Sequence, residues 1–455
     1  MTIHTSGSPH VLRAGAHEVI ITPQEPQMLL GSLEPSTGVH DELYARCLVL
    51  NDGLTQVAIV TFDLIGMSLA LANAIRTSIR AMTGVRHVLL CCSHTHSAPF
   101  TIPWSLVGTR DFERTGASWC WQLVENVVRL VSLGQDDLRE ATLSVGRAQV
   151  QVGDNRRLQT PNGVVMKPNP DGSIAPWADV LRVDDMTGRP IAVLFSHGAH
   201  PVVIHRASTL ISADYPGYAT ASVRREFGDE CVAMFAQSCG GNVNGPLMGG
   251  FDVAERVGGE LGEAAILAAR GSVRLAAEPL KVVSAAISLP LEDMPAIEQC
   301  DIALESARAD LASAERAESV NSDALWELRD RVLILEDLRA RALSGETQEL
   351  PFEVIALSIG RQWCLTAMTH EVFSDYQLWA ETASPFDRNM TVAYTNGVES
   401  YIPTDVDLGL GGYEASAFPR DGVFSTSALK YPRRLALRPG AEKLVKDAMI
   451  QAWGR

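Results

Sequence analysis

Apolar residues run along this chain in short blocks, and each block stops at a polar cluster. Ala45–Leu50 and Val57–Phe62 flank the turn Asn51-Asp52-Gly53, which predicts two paired strands. Leu69–Met82 spaces its apolar residues at the helical period, and Trp119–Leu133 does the same as an amphipathic helix. Arg86–Cys92, Ile191–Phe195, Cys231–Phe235, Val354–Leu357 and Trp363–Ala367 are compact and apolar, and they predict buried strands. Ala141–Val152 and Leu280–Leu291 alternate more openly, as antiparallel elements with one wet face do. The order is broadly strand, helix, strand. It predicts an α/β protein with a layered mixed β-sheet core and flanking helices.

One stretch breaks this rhythm. Ala296–Leu343 is rich in Ala, Leu, Glu, Arg and Asp and almost free of Gly and Pro. It predicts two helices broken near Ser319–Ser322, an inserted helical hairpin. A lid or a dimer contact is one reading; a structural excursion with a solvated charged face is the plainer one. No repeat or low-complexity linker divides the chain, so residues 1–455 are expected to form a single domain.

The polar clusters carry the chemistry. Val88–Cys92 leads into Ser93-His94-Thr95-His96-Ser97, and Ile191–Phe195 leads into Ser196-His197-Gly198-Ala199-His200-Pro201. Cys231–Phe235 leads into a Gly/Asn-rich loop, Gln237-Ser238-Cys239-Gly240-Gly241-Asn242-Val243-Asn244-Gly245, whose backbone N–H groups can approach a ligand closely. Trp363–Ala367 leads into Met368-Thr369-His370-Glu371. In open α/β sheets, ligands bind where strands end. In extended chain, His94 and His96 point the same way, as two ligands or as a ligand beside a proton carrier. Two histidines and a carboxylate at strand ends form the donor set of a catalytic zinc with a position left for water. His200 and His205 read as structural or rim residues.

Composition narrows the partners. Acidic residues outnumber basic ones, 54 to 38, for a net charge of −16, which argues against a nucleic-acid or acidic-membrane partner, since either would call for a basic face. No apolar run reaches membrane-span length. The eight cysteines are scattered, several of them inside apolar blocks, as buried thiols in a reducing compartment would be. The start, Met1-Thr2-Ile3-His4, lacks a basic region followed by an apolar one, so a cytoplasmic protein is expected. A homo-oligomer is compatible with all of this.

Taken in order, these segments resemble the catalytic domain of the neutral/alkaline non-lysosomal ceramidase family, which are zinc amidohydrolases. The matching elements are His94-Thr95-His96-Ser97-Ala98-Pro99, His197-Gly198, Leu210-Ile211-Ser212-Ala213-Asp214 with Gly217-Tyr218-Ala219, and Gln237-Ser238 with Gly241-Asn242-Val243. Thr37-Gly38-Val39-His40, Asn155-Arg156, Asn396-Gly397 with Tyr401, and Tyr413-Glu414 complete the set. The resemblance implies zinc held by His94, His197, Glu371 and Tyr401. It implies that His96, Arg156 and Tyr413 line the reacting centre, with Arg156 and Tyr413 donating to an oxyanion and His96 moving a proton to the leaving amine. His40, Asp63, Asp214, Gln237, Asn242 and Asn244 would edge the pocket or support the ligands.

Three departures bear on substrate. Asn244 stands where the family has a serine proposed as a nucleophile, so zinc-activated water is the expected nucleophile. The family's C-terminal β-sandwich is not expected here, because the sequence runs only briefly past the predicted helix Gly440–Trp453. His370 precedes Glu371 where the family has Gly; it is a supporting partner or a bystander. The expected substrate is a small soluble amide or lactam. An ester or lactone hydrolase on the same site, or a zinc-retaining binding protein without turnover, is the alternative.

Overall fold

The structure, a computed structural model, describes residues 11–32, 34–99, 101, 117–317, 322–415 and 435–454. Its main sheet runs in the order Val232–Gln237, Pro190–His197, Trp177–Asp185, Arg139–Gln149, Arg13–Ile20, Tyr44–Asn51, Gln56–Phe62, His87–Cys92. The two outermost pairs are parallel and the inner ones antiparallel. The halves are joined where Arg13 and Ala14 meet Glu140 and Arg139.

Alternation along these strands builds the layers. Leu48, Ile59 and Leu89 from one half share a buried core with Leu181, Leu194 and Met234 from the other, so the halves face each other. The opposite faces bury helices. Ile75 and Ile79 of Leu69–Thr83 and Leu123 and Val127 of Ala117–Asp136 cover one side. Val223 of Asp214–Phe227 and Val257 and Leu261 of Phe251–Arg270 cover the other. Each such fully buried side chain contributes roughly 1.5–3 kcal/mol relative to exposure, which is what seats these helices on the sheet. A second sheet, Leu280–Pro290, Glu349–Ile359, Trp363–Met368 and Asn389–Val392, adds Leu357, Leu365 and Val392 to the central core.

The mixed α/β layering expected from the sequence is what forms. The hairpin forms as Ile297–Arg316 and Ser322–Ser344, and it connects two adjacent antiparallel strands of the second sheet. Its expected break at Ser319–Ser322 falls largely outside the described residues. Other elements gave no clear signal. Arg13–Ile20 (RAGAHEVI) mixes small and charged residues, yet it holds the middle of the main sheet. Phe251–Arg270 carries Gly258 and Gly262, which weaken a helical pattern. Tertiary packing explains them: a Cβ on Gly258 would stand 2.4 Å from the Tyr215 carbonyl oxygen, and one on Gly262 2.7 Å from Ser222 Cβ. The two helices cross that closely only because those side chains are missing.

Candidate metal centre

His94, His96 and His200 converge behind the strand ends, with ligand atoms all within 4.8 Å of one another. Glu371 completes the group: its Oε2 lies 3.3 Å from His94 Nε2 and 2.9 Å from His200 Nε2. All of these side chains are buried.

Backbone geometry delivers each one. His94 lies past the end of His87–Cys92 in the left-handed region, φ 70°, and its N–H donates to the Leu64 carbonyl. Its Nδ1 contacts the Ile65 carbonyl. His200 Nδ1 lies 2.8 Å from the Gly240 carbonyl and 3.1 Å from that of Val243. A ring nitrogen against a carbonyl must carry the proton, so both Nε2 atoms are left to face the carboxylate. Glu371 pairs with Tyr401 in a short parallel bridge, Glu371–Val372 with Tyr401–Ile402. Gly241 packs against its backbone; a Cβ there would stand 2.5 Å from the Glu371 carbonyl oxygen. Non-glycine residues with positive φ gather here: besides His94, they include His370, Tyr394 and Asn396. Such strain clusters at functional sites.

The electrostatics call for a cation. Burial lowers His200 to about 4, with the Arg156 charge adding to it, and burial also holds His96 well below the usual range. Neutral His200 then directs its Nε2 lone pair at an ionised carboxylate, which is repulsive unless a positive ion lies between them. Burial by itself would raise Glu371, and only positive charge at the His94 and His200 positions holds it below the usual carboxylate range. Tyr401 is pushed well above its ordinary value by burial and then by Glu371, so it ionises only beside a cation.

The structure separates the expected histidines differently. His197 is the last residue of its strand. Its Nδ1 lies 2.9 Å from the Trp177 carbonyl, and it stands outside the cluster. The strand's alternation decides this: Val193, Phe195 and so His197 face the outer helices, whereas the turn through Gly198-Ala199 brings His200 inward. His200, read from the sequence as a rim residue, is the histidine that faces Glu371. The missed signal was position: His94 also lies beyond its strand, not within it. His96 stands edge-on to His94 at 5.1 Å between ring centres, with His205 at 5.3 Å on its far side.

Arg156 borders the cluster. Its Nε donates to Glu414 Oε1 at 2.7 Å and its Nη1 to Asn244 Oδ1 at 3.0 Å. Its buried Nη2 has no hydrogen-bond partner among the described residues. The guanidinium lies 5.5 Å from the Tyr401 ring centre and 5.6 Å from that of Tyr413. Glu414, quoted in the sequence motif but given no role there, also takes Arg157 and so fixes both guanidiniums.

The remaining candidates act at a distance from the cluster. Gln237 Nε2 donates to the Ala199 carbonyl at 2.6 Å and braces the His200 turn. Asp214 accepts the Ile204 and Tyr215 N–H groups, and it holds the segment following His200. Asn242 accepts the Ser374 N–H through its side chain and the Arg156 N–H through its carbonyl. Asp63 binds Arg46 and the Tyr44 N–H, and among the described residues no bond to a ligand histidine involves it. His40 stacks on Phe251 and pairs with Asp41 in an exposed position. His370 accepts the Glu399 N–H and donates to the Pro351 carbonyl, anchoring the loop that presents Glu371.

Scaffold and site together define an α/β protein with a candidate His/carboxylate metal centre at its strand ends. Residues 32–258 match the sequence model of the neutral/alkaline non-lysosomal ceramidases, N-terminal part. The fold is similar to that of neutral ceramidase from Pseudomonas aeruginosa, with TM-score 0.66 at 20% identity over 98% of this chain and 75% of that one. A structure described as ceramidase complexed with C2 aligns with TM-score 0.67 at 18% identity, over 97% and 75%. The chain belongs to the neutral/alkaline ceramidase family, a family of hydrolases.

Proposed function

We propose that this protein is a zinc-dependent hydrolase that cleaves the C–N bond of a small amide or lactam with an activated water. The observation that carries the reading is the convergence of His94 and His200 Nε2 on one oxygen of Glu371, beside a guanidinium with a spare donor. The donor set suits zinc: two imidazoles and a carboxylate, with Tyr401 next to the carboxylate in the ladder and His96 within reach. When bound, such an ion lowers the pKa of its water and polarises the carbonyl.

The chain's own residues supply the rest. Arg156, held by Glu414 and Asn244, presents Nη2 to the carbonyl oxygen as charge builds there. Tyr413, whose ring lies 5.9 Å from that of Tyr401, adds a hydroxyl donor on the same side. His96, neutral by burial, takes and returns a proton on the way to the leaving amine. Asn244 is engaged with Arg156, consistent with water rather than a side chain as nucleophile.

The eight buried, free cysteines support a reducing, cytoplasmic setting. No helix among the described residues is long and apolar enough to cross a membrane. The test is metal analysis followed by chelation and zinc re-addition, read against a panel of N-acyl amides. Turnover that falls with chelator and returns with zinc is expected. Full turnover in metal-free protein would overturn the reading.

A further inference from the structure

We propose that the substrate carries a carboxylate or similar anion, held by Lys167 at the mouth of a cavity whose inner wall is Arg156. A cavity of about 350 Å³ is lined by Val152, Arg156, Met166, Lys167, Asn244 and Leu247 among others, and it shares Arg156 with the border of the centre. The inference rests on the hydrolase reading, because it places the reacting carbonyl near Arg156.

Two observations carry it. The first is Arg156 itself, 5% exposed, with Nε and Nη1 fixed and Nη2 buried without a hydrogen-bond partner among the described residues. A buried donor left unpaired is costly, so Nη2 is a place for an oxygen from outside the chain. The second is Lys167. Its backbone N–H donates to the Arg156 carbonyl at 3.0 Å, so the two residues enter the cavity from adjacent backbone. Among the described residues no carboxylate lies within ion-pair distance of its ammonium. The other charged groups of the lining are engaged. Arg256 pairs with Glu260 at 2.8 Å, and Asp154 takes the Gln151 amide at 3.3 Å. The same lining carries the apolar side chains of Val152, Met166 and Leu247. A short aliphatic spacer fits there, with an amide oxygen at its Arg156 end and an anion at its Lys167 end.

Adipic acid monoamide and its uncharged analogue adipamide form the matched probe. Calorimetric Kd, or KM where a probe is turned over, is measured on the full-length zinc-loaded protein and on Lys167→Glu, with released ammonia counted in parallel. The expected result is that the monoamide binds about tenfold or more tightly than the diamide and that Lys167→Glu abolishes the difference. Equal binding of the two probes, or a difference that survives Lys167→Glu, overturns the proposal. Preserved discrimination with no ammonia from either probe leaves this site standing and counts against the hydrolase reading alone.

Discussion

His200 Nε2 lies 2.9 Å from Glu371 Oε2, although the two residues come from different sheets and each enters from a loop just past a strand. Their Nδ1 and backbone anchors aim them at each other: Gly240 and Val243 carbonyls hold the imidazole, and Ser400 and Gly241 hold the glutamate strand. This contact orders the histidines of the chain, and the first prediction follows from it. His200→Ala is expected to abolish stoichiometric zinc and activity together, whereas His197→Ala retains zinc. Metal analysis of the two purified variants decides it, and the reverse pattern would return the ligand role to His197.

Gly241→Ala tests how tightly the carboxylate is positioned. The added Cβ would meet the Glu371 carbonyl oxygen at 2.5 Å and the Phe373 ring at 3.0 Å, so the Glu371 strand must shift. Gly241 is not among the positive-φ residues, so the effect reads contact and not backbone strain. A loss of roughly 10- to 100-fold in zinc affinity is expected, as for other supporting contacts of metal ligands. Unchanged affinity in a chelator competition would mean that this packing does not position Glu371.

Glu414→Gln removes the carboxylate that neutralises Arg156 and Arg157, both 5% exposed. Breaking a buried ion pair from one side costs about 3–5 kcal/mol, because the remaining charge is stranded. The expected result is a large drop in the denaturant midpoint together with lower kcat. A midpoint equal to wild type would show that Glu414 does not hold these guanidiniums.

Tyr413→Phe keeps the ring beside Tyr401 and removes only the hydroxyl. Zinc content should be unchanged while kcat falls by roughly 100-fold, the usual cost of one oxyanion donor. Normal turnover would remove Tyr413 from the mechanism.

Asp214 sets a pH signature in stability. Burial pushes its carboxyl up to about 7 from an ordinary 3.8, and nearby Asp41 adds to this, while the Ile204 and Tyr215 N–H groups pull the other way. The folded state therefore binds this proton more tightly than the unfolded chain does. The contribution is present in full below about pH 4 and is lost as pH rises through about 7. Asp214→Asn keeps an acceptor and cannot ionise. Its denaturant midpoint should fall less than that of wild type between about pH 5 and about pH 8. Parallel curves would show that Asp214 does not titrate in that window.

Much of this was legible in order. The compact apolar blocks predicted the strands because a strand buried on both faces needs apolar residues at every position. His94 and Glu371 stood out because each follows such a block, and strand ends are where a layered sheet exposes loops. The strand Arg13–Ile20 and the helix Phe251–Arg270 were not legible, because their small residues serve neighbours distant in sequence.

The sequence by itself determined a layered α/β core, the loops that hold the chemistry and the residue types available there. Only the tertiary structure decided which histidine faces Glu371. The choice between His197 and His200 depends on where the strand stops and on which side the Gly198-Ala199 turn leaves it, a fact of backbone direction that residue type does not encode. The same holds for Arg156. Its fixed fork needs Glu414 from the far end of the chain, and its Nη2, unpaired among the described residues, becomes visible only once those partners are placed.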